Sequence, residues 1–301
     1  MESRRLQSNL FLLLAAVIWG FSVVSQRVGA QYIGPFAFNG IRFALGSLSL
    51  LPLICFLNKK KKTEFQKGIN VSELKKAFIS SIFPGMALYL AASFQQIGLV
   101  TTTAGKTSFI TGLYIVLVPF FGIFFKQRIG LNTWLGAGLA VVGLYFLTIV
   151  GSFSISKGDF LVLIGSFFWA AHILLIDYFS KKVDSLILSA IQFAICSLLS
   201  IVTALFIETI TLSVIMLAII PILYGGICSV GVGYTLQVIG QQHAQPSHAA
   251  IILSMEVVVG AIGGWLILSE NLGVQGIFGG LLMFAGMLLS QIQFTKPKVK
   301  N

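Results

Sequence analysis

The chain has 301 residues, 56% of them hydrophobic and only 10% charged, with a mean hydropathy of +0.95 and 31 glycines. That balance excludes a water-soluble domain of this length, because a soluble chain carries more charge than this on its surface. The net charge of +11 does not by itself indicate a nucleic-acid partner, since its meaning depends on where the basic residues fall.

Crossing about 30 Å of hydrocarbon takes roughly 20 predominantly apolar residues. Such runs lie near 8–28, 34–57, 77–97, 103–125, 131–150, 157–179, 184–207, 213–238, 246–267 and 273–293. Arg4 and Arg5 precede the first run as they would a signal peptide, but no A-x-A-like site follows, so the run reads as a retained first helix. After the second run comes Lys59 to Lys62, a solvated inner face rather than a nucleic-acid patch. Pro84, Pro119 and Pro221 fall inside the third, fourth and eighth runs, where proline kinks or breaks a helix. His243 and His248 flank Pro246 at the start of the ninth and read as a solvated helix start. Backbone at membrane depth must be helical, so the fold class is an all-α integral membrane protein of ten transmembrane helices.

With both termini inside, the inner segments carry Arg4, Arg5, Lys59 to Lys62, Lys67, Lys75, Lys76, Lys126, Arg128, Lys181, Lys182, Lys296, Lys298 and Lys300. The outer links carry Lys157 alone among basic residues, beside Asp159, Glu208 and Glu270. The positive-inside rule therefore gives one orientation throughout, with cytoplasmic termini in a plasma membrane of bacterial inner-membrane type. Cys55, Cys196 and Cys228 lie far apart in apolar runs with no C-x-x-C, as packing residues do.

The chain repeats itself. A shift of 150 residues lays Trp19 on Trp169, Ile41 on Ile191, Phe43 on Phe193 and Ser47 on Ser197; a shift of 142 to 143 lays Gln95 on Gln237, Gly98 on Gly240, Gly136 on Gly279 and Gly143 on Gly286. Residues 1–150 and 151–301 therefore form two five-helix repeats, and an odd number of crossings makes the second enter from the opposite face. Inverted repeats of this kind set a substrate site near the midplane and alternate its access between faces.

Four matching stretches carry a family resemblance: Ile18-Trp19-Gly20-Phe21, Ile41-Arg42-Phe43, Ala104-Gly105-Lys106 through Val118-Pro119, and Met255-Glu256-Val257 with Leu268-Ser269-Glu270. In this order and spacing the chain resembles the EamA family of the drug/metabolite transporter superfamily over nearly its whole length. That resemblance implies ten helices in two EamA repeats and a transport function, without implying a substrate. Gln127 departs from it, standing where the family often closes its fourth helix with Glu, whereas Glu270 keeps the acid in the second repeat.

A charge at the bilayer centre costs about 2.5–3.5 kcal/mol, so it faces a cavity or a partner. Arg42, Lys106, His172 and Glu256 are the candidates. Helical spacing gathers Trp19, Ser22, Gln26, Asn39, Tyr89, Ser93, Gln96, Thr111, Tyr114, Trp169, Gln192, Tyr234 and Gln237 onto the same faces. Arg42 aligns with Gln192 and Ser22 with His172, so the two halves are chemically unequal. Arg42, Lys106, Glu256 and aromatic walls suit a small zwitterion, an amino acid first. Glu256 either carries protons or pairs with Arg42. Each of these residues has a plainer role open to it: ties between helices for Arg42 and Glu256, snorkelling for Lys106, core packing for His172.

The expected function is therefore secondary active transport of a small polar metabolite by alternating access, as an exporter and with proton coupling through Glu256 as an option. The alternative is an organic cation or drug efflux carrier using Glu256 and the aromatic residues. No G-x-x-x-x-G-K-[ST], G-x-S-x-G or H-E-x-x-H occurs, which argues against an ATP-driven pump or an enzyme. The expected partners are a small-molecule substrate and the lipid bilayer, with a homodimer left open and no nucleic acid, metal or cofactor.

Overall fold

The computed structural model describes residues 2–65, 71–102, 104–124, 129–148, 156–268 and 273–291, and every regular element among them is helical. The first half comprises α1 (Glu2–Gly29), α2 (Pro35–Phe65), α3 (Val71–Thr101), α4 (Ala104–Gly112 continued by Tyr114–Phe124) and α5 (Leu131–Thr148). The second comprises α6 (Lys157–Phe179), α7 (Ser185–Ile207), α8 (Ile219–Leu223, Tyr224–Tyr234 and Thr235–Gln241), α9 (Pro246–Leu253 continued by Met255–Leu268) and α10 (Gly273–Gln291). Eight of these are long and apolar enough to span a membrane, and two shorter apolar helices, Phe109–Phe124 and Leu131–Leu147, complete the set of ten.

Burial is turned inside out relative to a soluble protein. Phe56, Phe83, Leu205, Phe206, Ile220 and Leu281 are exposed, while Asn39, Gln96, His172, Gln192 and Gln241 are fully buried. Apolar lipid in place of water accounts for the first set, and the need of polar groups for partners or a cavity for the second. Helix starts are closed locally: Ser156 and Asp159 form a capping box at α6, and the Asp184 carboxylate accepts from the amides of Leu186 and Ile187 at α7. Glu208, at the end of α7, accepts from the amides of Phe36 and Ala37 at 2.9 and 2.8 Å and so caps α2 from the other half.

The helix pairing is unchanged when the two halves are exchanged. The α3–α6 and α8–α1 contacts correspond, as do α1–α9 with α6–α4 and α3–α7 with α8–α2, while α5–α10 and α2–α7 map onto themselves. Individual atoms repeat the pattern. Ser47 Oγ donates to the carbonyl of Ala190, and its equivalent Ser197 donates to the carbonyl of Gly40, the equivalent of Ala190, both at 2.8 Å. A Cβ on Gly98 would strike Val162 and the carbonyl of Gly158; one on Gly240 would strike Leu12 and the carbonyl of Ser8, the same positions 150 residues earlier. On α5 and α10, Gly136 meets Gly286 and Gly143 meets Gly279. The helices therefore run antiparallel, as an inverted repeat requires, and glycine is needed because the opposing backbones leave no room for a Cβ.

Three expectations are corrected. Pro84 does not interrupt α3, which runs unbroken for 31 residues. The break in α4 lies at Leu113, six residues before Pro119, and α9 has a break of its own at Ser254, where no proline signals it. His248 is not solvated: it is buried at the start of α9, where Nε2 shares a hydrogen bond of 3.0 Å with Thr133 Oγ1 of α5.

Candidate functional site

A cavity of about 40 Å³ lies between the halves, lined from α1 (Trp19, Ser22, Val23, Gln26), α2 (Arg42), α3 (Gln95), α4 (Thr111, Tyr114), α6 (Trp169, Ile173), α8 (Ser229, Tyr234, Gln237) and α9 (Leu253, Glu256, Val257). Four of its pairs are equivalent positions of the two repeats: Trp19 and Trp169, Val23 and Ile173, Gln95 and Gln237, Tyr114 and Val257. The pseudo-two-fold axis thus passes through the cavity. At about 10–15 Å³ per water the space holds about three waters, so a ligand of more than a few heavy atoms enters only when the walls part.

Local backbone chemistry brings the polar groups here. α4 and α9 break beside the cavity, at Leu113 and Ser254, and the residues around the breaks (Thr111, Tyr114, Leu253, Glu256 and Val257) line it. Broken helices at membrane depth are tolerated where they border a polar cavity. In α8 the stretch Tyr224–Tyr234, rich in glycine, is wound as a π-helix, a form common at functional sites. Gly225 leaves room for Arg42, and Gly233 for Trp19.

Arg42 is only 2% exposed. Its Nε donates to Asn39 Oδ1 at 3.0 Å, and Asn39 Nδ2 donates to the carbonyl of Ala92 at 3.1 Å, so Asn39 fixes the guanidinium against α3. The guanidinium lies 5.5 Å from the ring centre of Phe38 and 4.9 Å from that of Phe43. Glu256 accepts a hydrogen bond of 3.2 Å from the Tyr114 hydroxyl. No ion pair joins Arg42 to Glu256, although both line the cavity. Tyr234 forms one wall, stacked on Trp169 at 6.1 Å and tilted against Trp19 at 4.5 Å.

The two tryptophans bond differently. Trp169 Nε1 donates to Gln95 Oε1 at 2.7 Å, whereas Trp19 Nε1 donates to the carbonyl of Ser229 in the π-helical stretch at 3.3 Å. Gln237, the equivalent of Gln95, is consequently left with Oε1 unpartnered among the described residues, as is Thr111 Oγ1.

Of the residues singled out from the sequence, Trp19, Arg42, Tyr114, Trp169, Tyr234, Gln237 and Glu256 line the cavity. Asn39 acts through Arg42. Gln96 faces away and donates from Nε2 to the carbonyl of Gln26, and Tyr89 hydrogen-bonds Thr203 at 2.7 Å, so both tie helices together. His172 and Gln192 bond to one another at 3.0 Å, off the cavity. The side chain of Lys106 lies outside the described residues. Sequence spacing chose Gln96 over Gln95; the repeat, which pairs Gln95 with Gln237, carried the better signal. Among the described residues no cluster of three or more metal-binding side chains occurs.

The sequence model of the EamA-like transporter family matches twice, over residues 6–149 and 156–291. The chain belongs to the EamA-like transporter family. Like other EamA transporters it is a multi-pass membrane protein. It is 30% identical over 294 residues to an uncharacterized transporter of Archaeoglobus fulgidus, covering 96% of this chain and 87% of that one. It is 24% identical to the uncharacterized transporter YoaV of Bacillus subtilis, covering 96% and 98%, and 25% identical to the uncharacterized inner membrane transporter YedA of Escherichia coli over about half of each chain, 51% and 48%. A solved crystal structure shares the EamA transporter's fold at a TM-score of 0.72, with 15% identity, over 94% of this chain and 96% of that one.

Proposed function

We propose that this EamA transporter carries a small zwitterion, an amino acid or close relative, by secondary active transport. In this reading residues 1–150 and 151–301 rock against each other about the cavity, and the working direction is export. The observation that carries it is a cation and an anion, Arg42 and Glu256, lining one cavity without pairing. Two charges without an ion-pair partner among the described residues are costly at membrane depth, and a ligand bearing both opposite charges offsets that cost. Arg42 offers its terminal nitrogens to a carboxylate. Glu256, Thr111 Oγ1, Gln237 Oε1 and the aromatic walls receive an ammonium. Glu256 is also the group to carry a coupling proton, its hydrogen bond coming from a neutral phenol rather than from Arg42. Arg4, Lys75, Lys76, Lys181 and Lys182 stand at one end of the bundle, and the positive-inside rule assigns that end to the cytoplasm of an inner-membrane protein.

One observation favours a second reading: the Arg42 guanidinium already lies against two phenylalanine rings. If those rings satisfy it, Glu256 and the aromatics form a site for an organic cation. A thermal-stability screen in detergent separates the two, because a ligand of the folded state raises its stability by RT ln(1 + [L]/Kd). Amino acids, organic cations, nucleosides and sugar phosphates are tested on the native chain, Arg42→Gln and Glu256→Gln. A zwitterion that stabilises the native chain and loses its effect in both variants is the expected result. Stabilisation by cations that survives Arg42→Gln establishes the second reading instead.

A further inference from the structure

His172 and Gln192 occupy the repeat positions of Ser22 and Arg42, yet the cavity receives only the first-half pair. Ser22 lies three residues past Trp19 on α1, and His172 three residues past Trp169 on α6. Because α1 and α6 run in opposite directions, the two pairs lie on opposite sides of the tryptophans: Ser22 and Arg42 away from the face where α1 begins, His172 and Gln192 towards it.

The second pair is fully buried and incompletely satisfied. His172 Nε2 and Gln192 Oε1 share one hydrogen bond, while His172 Nδ1 and Gln192 Nε2 have no partner among the described residues. Buried polar atoms are for the most part hydrogen-bonded, so two orphaned atoms on one buried pair call for an explanation. What separates them from the cavity is the Trp169–Tyr234 stack: the His172 ring centre lies 6.1 Å from Trp169 and 6.3 Å from Tyr234, edge-on to both. The first half has no such screen, since the position equivalent to Tyr234 is Ala92.

We propose that His172 and Gln192 form a second polar half-site for the carried molecule, the counterpart of Ser22 and Arg42, which lines the pathway from the α1-start face when the two halves exchange conformations. This rests on the alternating-access reading above. Exchange of conformation between inverted repeats brings the equivalents of the present lining residues into the open. The free Gln192 amide then donates to the same acceptor that Arg42 holds in this conformation, and His172 Nδ1 accepts a proton donor of the ligand. A neutral amide in place of a guanidinium makes this the weaker-binding side.

The test uses a chain with Cys55, Cys196 and Cys228 replaced by Ala, carrying Ser22→Cys, His172→Cys or Gln192→Cys singly. Each is treated with a membrane-impermeant methanethiosulfonate in right-side-out and in inside-out vesicles. Using both His172 and Gln192 guards against one variant failing to fold. The expected result is that Ser22→Cys reacts faster from the face opposite the start of α1 and that Gln192→Cys and His172→Cys react faster from the α1-start face. The rate ratio should be about tenfold or more, as a minor state of about 10% or less gives. If Ser22→Cys reacts from both faces while positions 172 and 192 stay silent, the half-site is overturned and alternation stands. If Ser22→Cys reacts from one face alone and the others stay silent, both are overturned together. Reaction of all three from the same face also overturns the half-site.

Discussion

The two halves are built alike at their helix contacts and unlike at their centre, and the Trp–Gln pairs locate where they part. In one pair Trp169 holds Gln95 by its side-chain carbonyl; in the other the π-wound stretch of α8 supplies the carbonyl of Ser229 to Trp19, and Gln237 is released towards the cavity. The need of an indole N–H for a carbonyl acceptor is met by a side chain in one half and by backbone in the other. Symmetric packing serves the scaffold, and a local change of helix winding converts one of two equivalent glutamines from a structural partner into a free acceptor.

The comparison can be broken at its wall first. Tyr234→Ala removes a ring packed against Trp19, Trp169, Phe43 and Phe193; we expect a loss of about 3–5 kcal/mol, typical of an aromatic deleted from a core, seen as a lowered Tm in detergent. Ala92, its equivalent, has no such ring to lose. The glutamines give the next largest contrast. Gln95→Leu strands the Trp169 indole N–H and should cost about 1–3 kcal/mol, whereas Gln237→Leu removes an acceptor with no partner and should leave Tm unchanged while abolishing stabilisation by ligand. Equal destabilisation by both would show the halves to be alike here too. The smallest effect tests the symmetry itself. Ser47→Ala and Ser197→Ala each delete one of two equivalent bonds and should lower stability by the same small amount, about 0.6 kcal/mol; a marked inequality between them would mean that the α2–α7 seam is not two-fold.

How much of this was legible in the sequence depends on which force sets each feature. Span positions follow from hydropathy, so α6, α7 and α9 begin within a residue of their expected starts, while α1, α2 and α3 extend further at the basic face because a helix need not end where hydrocarbon does. The repeat pointed to the inverted pairing, and the glycines it aligns on α5 and α10 are ones that meet in the structure. Of the residues that helical face arithmetic gathered, Arg42, Glu256, Trp19 and Trp169 line one cavity, since one regular helix sets each direction. Gln96 and His172 do not line it in this conformation, because their direction depends on a neighbour: Gln96 is taken by the backbone of α1, and His172 is shut off by Tyr234 on α8. The π winding of Tyr224–Tyr234 leaves no signature beyond a run of glycines, and the breaks at Leu113 and Ser254 leave none.

Among the described residues the seam of α5 and α10 is the most extensive helix pair, and its Gly136–Gly286 and Gly143–Gly279 contacts map onto one another when the halves are exchanged. In the language of assemblies it is an isologous interface, a patch meeting its own copy, that happens to be enclosed in one polypeptide. A substitution in a face that meets itself is normally felt twice; here it is felt once. Duplication has therefore relaxed a symmetry constraint, leaving each half free to drift at the centre, as Tyr234 and Ala92 have, while the glycines that join the copies stay where any such pair would need them.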